Sequence, residues 1–252
     1  MPHTEISLLA RHPWVVGSVG SGVCLRAVEV SDVIGRCDIV EIRIDLLEAE
    51  GLAASRKLWQ HLAGISRLFT VRRMDEGGAL DLNASQRSGL LLAAMDDAAF
   101  IDVEVASLGA MREILLEAAS RGIPWVASFH DFEKLPESAV LAAAAQQAQA
   151  AGAAAFKLAA KLNSLADVAR LAEFQLGFQG LPVATMGMGV LAPVSRLLCA
   201  QCGSVLNYGY LGDSPTAPGQ WDCGLLRQAI RRLAPYPQEI TQSPQSVRPA
   251  RP

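Results

Sequence analysis

One lysine lies where an apolar pattern predicts no charge. Lys157 is embedded in AAFKLAA (154–160), among alanines, a phenylalanine and a leucine. Burial and nearby cations disfavour the charged form of an amine, and a neutral amine can form a Schiff base with a ketone or an aldehyde. The alternative is a lysine at a strand end whose ammonium group reaches solvent. We expect that solvated state for Lys161, four residues further on.

A histidine ends another strand-like run. His130 lies in SFHDFEKLP (128–136), at the point where the strand pattern gives way to a loop. Imidazole titrates near neutral pH, so a histidine at such a junction can move protons to and from a ligand. The alternative is a hydrogen-bonded structural histidine, which is a common role for this residue.

Charges alternate through DIVEIRID (38–45). Glu41, Arg43 and Asp45 recur at every second residue and would share one face of a strand. If that face is buried, the charges must pair with one another or bind a polar ligand. The alternative is the exposed face of an edge strand.

Further arginines are placed where they could converge. Arg72 and Glu76 flank the end of a strand-like run in TVRRMDEGG (70–78), and Arg196 begins a helix-like run. The Pro/Gly-rich segment DSPTAPGQW (213–221) predicts a loop that could cover a ligand. Two arginines at one site would bind a carboxylate through paired hydrogen bonds, whereas each arginine alone is typical of a surface.

These residues belong to a repeating strand–helix pattern. Alternating strands and helices predict parallel strands with helical crossovers, and eight units can close into a single-domain α/β (β/α)₈ TIM barrel over residues 1–236. An open doubly wound sheet is the alternative, but no GxGxxG turn follows the first strand. The predicted strands cover residues 14–20, 38–45, 67–73, 100–105, 124–131, 154–160, 181–188 and 204–211.

The end of the chain has a different composition. Residues 237–252 are rich in proline and poor in hydrophobic residues. We predict a disordered tail there, with a packed extension as the alternative.

Composition excludes several classes of function. The formal net charge is −3, which gives no basic surplus for binding nucleic acid. No apolar run reaches the length of a membrane span, and the first residues show no signal-peptide pattern. The five cysteines predict reduced thiols and a cytoplasmic protein. The one CxxC pair, Cys199 and Cys202, lies in a helix-like run and favours ordinary helix cysteines over redox or metal chemistry.

Eight motifs resemble, in order, those of the type I 3-dehydroquinate dehydratase family. The resemblance covers about residues 14–225, and no single motif is decisive. The motifs are EIRID (41–45), TVRRMDEGG (70–78), FIDVE (100–104), SFHDFEKLP (128–136), AAFKLA (154–159), MGVLAPVSR (188–196), GSVLNYG (203–209) and TAPGQ (216–220).

The resemblance implies a reaction and a set of roles. The reaction is the syn elimination of water from 3-dehydroquinate to 3-dehydroshikimate, the third step of the shikimate pathway, by a homodimer without metal or organic cofactor. Lys157 would form the imine, His130 would shuttle protons, and Glu76 would orient and polarise that histidine. The residues implied to contact the substrate are Glu41, Arg43, Arg72, Arg196, Thr216, Gln220 and Ser18.

Three positions depart from the family pattern, and two alternatives remain. Thr216 stands where serine is common, Ala192 where glycine is usual and Asn207 where threonine is usual. These changes leave every catalytic group in place. One alternative is a class I aldolase-type barrel, which would bind phosphate near its last two strands. The other is a ligand-sensing relative, which would be expected to lack the lysine or the histidine.

Overall fold

Eight parallel strands alternate with helices along the chain. The computed structural model describes residues 6–8 and 12–233. The predicted tail at 237–252 and the end of the predicted domain at 236 therefore lie outside the described residues. The strands are β1 (Trp14–Val19), β2 (Ile39–Arg43), β3 (Ser66–Thr70), β4 (Phe100–Glu104), β5 (Trp125–Asp131), β6 (Ala155–Lys161), β7 (Val183–Met188) and β8 (Leu206–Tyr210).

Helices connect the strands, and local capping defines where two of them begin. Asn83 and Gln86 form a reciprocal capping box in the first turn of the helix Ala84–Ala94, and Ser164 and Asp167 do the same in the helix Leu165–Gly177. The helices are α1 (Gly22–Ala27), α2 (Val30–Arg36), α3 (Ile44–Ala49), α4 (Ala84–Ala94), α5 (Arg112–Ser120), α6 (Ser138–Ala150), α7 (Leu165–Gly177), α8 (Ala192–Gln201) and α9 (Cys223–Leu233).

The strands form a nearly closed barrel. Their order is β7-β6-β5-β4-β3-β2-β1-β8, and every pair in that order is parallel. At the remaining seam, the Val205 amide donates to the Val183 carbonyl at 3.1 Å, and the Thr185 amide donates to Ser204 Oγ at 3.2 Å. The prediction of a (β/α)₈ barrel is confirmed.

Side chains that point into the barrel change from apolar to polar along every strand except β7, where both are apolar. Near the amino ends they form a small apolar core that includes Trp14, Val16, Ile39, Leu68, Phe100, Val126, Ala155, Ala184 and Leu206. Strand side chains alternate between the two faces, so residues two positions further on also point inward. That next layer consists of Ser18, Glu41, Thr70, Asp102, Ser128, Lys157, Met186 and Tyr208. The chemistry is thereby concentrated toward the carboxyl ends of the strands, while a larger apolar core packs between strands and helices.

The predicted strand 38–45 is too long. β2 ends at Arg43, and Asp45 lies in the first turn of α3. Its carboxylate is still buried, because it accepts two hydrogen bonds from the Arg43 guanidinium at 2.9 and 2.7 Å. The exposed edge-strand alternative is wrong, since Glu41, Arg43 and Asp45 are all buried.

The cysteines are free thiols. Cys199 is buried in α8 and Cys202 is half-buried just after it, which agrees with ordinary helix cysteines. Across residues 6–8 and 12–233, no His, Cys, Asp and Glu side chains group in threes that could hold a metal ion. No helix in the same part of the chain is long and apolar enough to cross a membrane.

Candidate active site

Lys157 is buried in β6 and points into the barrel. Its Nζ lies 3.2 Å from Asp102 Oδ2 and 3.5 Å from Glu41 Oε1, and 4.0 Å from the centre of the Tyr208 ring. The side chain is only 5% exposed, which excludes the solvated strand-end alternative. Lys161, by contrast, is exposed as expected. The groups that contact the Lys157 amine are two carboxylates and an aromatic face, and not the cations that would disfavour a charged amine.

The two carboxylates beside Lys157 remain ionised despite burial. Burial alone would raise the pKa of Glu41, but Lys157 and Arg43 lower it overall. Burial likewise opposes ionisation of Asp102, and Arg72 together with Lys157 holds its pKa well below the usual range. Lys157 therefore faces two fixed negative charges.

His130 and Glu76 form a hydrogen-bonded pair. Glu76 Oε2 lies 2.9 Å from both the Nδ1 atom and the backbone nitrogen of His130. Burial, aided by Arg72 and Lys157, lowers the pKa of His130 well below its usual value, so the ring is neutral at pH 7. With Nδ1 directed at the carboxylate, Nε2 is left as the basic atom that can serve the pocket.

Glu76 is held by a tight turn. It ends a short 3₁₀ turn, Met74–Glu76, and Gly77 follows with φ of +91°. A side chain at Gly77 would also meet the Phe132 ring at 2.6 Å, so both conformation and space favour glycine here. Burial raises the pKa of Glu76 to about 7.

Arg72 lies at the centre of a buried ion-pair network. Its Nη1 is 2.9 Å from Asp102 Oδ1 and 3.0 Å from Glu104 Oε1, and it donates to Ser128 Oγ. Glu104 in turn accepts from Arg87 at 2.6 Å. Burial would lower the pKa of Arg72, but the two carboxylates raise it overall, so the guanidinium is a permanent cation. The network fixes Asp102, which contacts Lys157.

Glu41 and Arg43 are anchored separately. Glu41 accepts hydrogen bonds from Ser18 Oγ and, at 2.9 Å, from Thr70 Oγ1. Arg43 pairs with Asp45 and also donates to the Gly77 carbonyl at 3.0 Å. Both side chains line the pocket, so each can offer its remaining polar atoms to a ligand.

Arg196 is a buried cation without a counterion. It projects from α8 to the seam between β7 and β8, where Nη1 donates to the Tyr208 carbonyl at 2.7 Å. Within the described part of the chain it forms no salt bridge, and its Nε has no hydrogen-bond partner. Burial lowers the pKa of Arg196 to about 10. A buried guanidinium with free donors is suited to binding an anion.

The loop at 213–221 brings two polar residues to the pocket. The backbone amide and the hydroxyl of Thr216 both donate to Gln220 Oε1 at 2.9 Å, and Gln220 Nε2 approaches Ser18 Oγ at 3.4 Å. Gly219 has φ of +73°, and a side chain there would collide with the Gly189 carbonyl. This turn directs Gln220 into the barrel.

All ten predicted site residues gather at one pocket of about 490 Å³, whose volume includes the open mouth. Asp102 and Glu104 lie beside the pocket and had no predicted role. The alternation of apolar and acidic residues in FIDVE (100–104) could have indicated them. The lining residues without a predicted role are Gly77, Phe132, Ala159, Met186, Met188, Tyr208 and Ala217.

Two of the family departures lie outside the pocket lining. Asn207 donates to the Trp14 carbonyl at 3.3 Å and to the Ser204 carbonyl at 3.0 Å, so it links β8 to β1 and to the residues just before β8. Ala192 is buried at the start of α8. Thr216 is the one departure that lines the pocket, and its hydroxyl is retained.

Comparison with known proteins assigns this barrel to a family. A model of type I 3-dehydroquinase matches residues 19–236. The 3-dehydroquinate dehydratase of Shouchella clausii is 32% identical over 79% of this chain and 82% of its own length, and that of Methanothermobacter thermautotrophicus is 33% identical over 83% and 93%. The crystal structure of 3-dehydroquinate dehydratase from Geobacillus kaustophilus superposes with a TM-score of 0.78 at 23% identity, covering 89% of this chain and 92% of that one. The chain belongs to the type I 3-dehydroquinase family of hydro-lyases.

Proposed function

We propose that this protein removes water from 3-dehydroquinate through an imine on Lys157. Family membership supports the dehydratase activity. The observation that carries the mechanism is the placement of a buried amine and a neutral histidine at one pocket, beside the Arg196 guanidinium, which forms no salt bridge with any described residue. The amine can attack a ketone, the histidine can remove an acidic proton, and the guanidinium can bind a carboxylate. The substrate 3-dehydroquinate bears all three of these features.

Lys157 is the nucleophile in this proposal. The free amine attacks the ketone carbon, and the carbinolamine loses water to give a protonated imine, which serves as an electron sink. The amine must first give up a proton. The ring of His130 is neutral, so its Nε2 has a lone pair that can accept this proton and then pass it to solvent or substrate.

His130 then acts on the substrate. Its Nε2 removes the proton beside the imine carbon, and the electron pair moves into an enamine. The enamine expels the hydroxyl group, which leaves as water with the proton that His130 had taken. Hydrolysis of the product imine releases 3-dehydroshikimate and restores Lys157. One histidine on one face of the ring serves a syn elimination.

Glu76 acts through His130 and not on the substrate. Its carboxylate accepts from both nitrogens that His130 directs toward it, so it fixes the ring and stabilises the imidazolium ion that forms during proton transfer. The pKa near 7 means that the ionised, acceptor form predominates only above neutrality.

Arg196 holds the carboxylate of the substrate. It is the buried cation of the pocket that lacks an anionic partner among the described residues, whereas Arg43 and Arg72 already pair with carboxylates. The ring hydroxyls are then contacted by Glu41, Arg43, Arg72 and Gln220. Further contacts with the substrate come from Thr216 and Ser18. The same feature argues against an aldolase-type phosphate site, which would use glycine-rich backbone donors near the last strands.

The family assignment also supports wider proposals. We place the reaction at the third step of the shikimate pathway, in the cytoplasm, and assign no metal or organic cofactor to it. We propose a homodimer, which sedimentation equilibrium at micromolar concentration would test. A mass equal to one chain would overturn the dimer and leave the chemistry of the site unaffected.

Turnover of 3-dehydroquinate by matched lysine variants tests the proposed function. The product is a conjugated enone, so its formation can be followed by ultraviolet absorbance. Lys157→Met should abolish turnover, while Lys161→Met, a change at the exposed lysine four residues on, should leave it intact. Wild-type protein without activity would refute the dehydratase and would favour the ligand-sensing relative. Full activity of Lys157→Met would refute the imine.

A histidine variant separates the two chemical steps. His130→Ala should lower kcat by about 10²–10⁴-fold, the usual contribution of a positioned acid–base group. It should still form the covalent adduct with substrate, because Lys157 remains. Near-normal kcat in this variant would refute the proton-shuttle role.

A further inference from the structure

One buried hydroxyl in the pocket has no hydrogen bond. Tyr208 lies on β8 and is 3% exposed, yet its hydroxyl group has no partner anywhere in the described residues. A buried polar group without a partner costs free energy, so native proteins rarely retain one without a reason. Tyr208 also lines the pocket, which makes a bound ligand the candidate acceptor for this hydroxyl.

The same tyrosine lies between two groups that contact the proposed substrate. Its ring covers Lys157 Nζ, with 4.0 Å from the nitrogen to the ring centre. Its backbone carbonyl accepts the Arg196 Nη1 hydrogen bond at 2.7 Å. The ring that carries the hydroxyl is thus fixed against the nucleophilic amine, on the strand whose backbone also holds Arg196.

The other groups against the amine cannot act as donors. Glu41 and Asp102 contact Lys157, but both are ionised and only accept hydrogen bonds. Burial and those two negative charges raise the pKa of Tyr208 well above its usual value, so the phenol keeps its proton. Tyr208 therefore supplies a neutral donor where the surrounding groups offer acceptors.

We propose that the Tyr208 hydroxyl donates a hydrogen bond to the oxygen on the carbon that Lys157 attacks. That oxygen is first the ketone oxygen of 3-dehydroquinate and then the carbinolamine hydroxyl. The nitrogen–carbon bond forms while the carbon–oxygen π bond breaks, and the electron pair moves to the oxygen. The oxygen takes up the proton that the amine releases, while Tyr208 retains its own. This role rests on the proposed function, because it assists imine formation and imine hydrolysis.

Tyr208→Phe tests the donor while keeping the ring over Lys157. We expect kcat/KM and the rate of borohydride-trapped adduct formation to fall by about 10²-fold, as when an oxyanion donor is removed. The midpoint of thermal unfolding of the substrate-free protein should stay the same or rise, because the lost hydroxyl had no partner. If the hydroxyl had only a structural role, Tyr208→Phe would lower the midpoint of thermal unfolding. It would then leave the rate of adduct trapping per folded molecule unchanged.

A second variant and the wild-type protein separate a failure of the Tyr208 role from a failure of the proposed imine. Tyr210→Phe removes a hydroxyl from the same strand at a residue outside the pocket lining and should trap adduct at the wild-type rate. Equal trapping rates for wild type and Tyr208→Phe would overturn this inference and leave the proposed function standing. Absence of any adduct in the wild type would overturn the proposed imine and this role with it.

Discussion

Replacing Glu76 by glutamine should make the protein more stable and less active above neutral pH. Glu76 is about one-tenth exposed, and burial is the main cause that raises its pKa to about 7. Glutamine resembles the protonated carboxyl in shape and keeps an oxygen that can accept from His130. The substitution therefore removes the buried charge and little else.

The magnitude follows from the shift in pKa. The folded-state pKa is about 7 and the unfolded value is 4.5, so between these values the folded protein binds more protons than the unfolded chain. Stability contributed by this group is consequently lost as the pH rises through that window. The shift corresponds to a cost of about 3 kcal/mol at pH 8 and about 1 kcal/mol at pH 5. Glu76→Gln should recover those amounts.

Urea unfolding at pH 5 and pH 8 measures this difference. We expect the stability gain of Glu76→Gln to grow by about 2 kcal/mol between the two pH values. Glu137→Gln, at a carboxylate whose side chain is 85% exposed, is the matched control and should show no such growth. A gain that is equal at both pH values, or a loss at pH 8, would show that Glu76 carries no burial-raised pKa.

Activity should change in the opposite direction. Wild-type kcat should rise with pH through an inflection near 7, because ionised Glu76 stabilises the His130 imidazolium ion in the transition state. Glu76→Gln should lose that inflection and show a kcat about 10-fold or more below wild type at pH 8. An inflection that survives in the variant would assign the titration to another group.

Substitutions at three other residues test separate contacts. Arg196→Met should raise KM by about 10²-fold, since it removes a charge-assisted pair worth roughly 3 kcal/mol, and steady-state kinetics would measure it. Asp102→Asn should lower the free energy of unfolding by about 3 kcal/mol or more, because it leaves buried Arg72 and Lys157 short of an anion; chemical denaturation would show this. Thr216→Ser should leave KM within about 2-fold of the wild-type value. Thr216→Val loses the hydroxyl bond to Gln220 and should raise KM several-fold. An unchanged KM in Thr216→Val would show that the hydroxyl does not contribute to substrate binding.

The sequence predicts the site well where period-two alternation is unbroken. Glu41 and Arg43 lie on one face of β2 as the pattern indicates, and Lys157 points inward from β6. Asp45 does not lie on that strand face, because β2 ends two residues earlier and α3 has already begun. The side chain stays buried for a reason that alternation cannot reveal, namely its pairing with the neighbouring Arg43.

The sequence pattern cannot predict contacts between strands that are far apart along the chain. Arg72 alone reads as a candidate ligand for a carboxylate, but in the barrel it is held by Asp102 and Glu104 from the adjacent strand. The charges around Lys157 could not be predicted either, because their sign depends on which strands neighbour β6 and on the depth of each side chain. Only the closed barrel shows that Arg196 is the cation left without a partner in the described residues.

The most direct test is to locate the covalent bond between protein and substrate. The protein is incubated with 3-dehydroquinate, reduced with borohydride, digested and analysed by mass spectrometry. The account predicts one substrate-derived adduct, on Lys157, in a peptide that is unmodified when substrate is omitted. Absence of an adduct, or an adduct on another lysine such as Lys161, would contradict it.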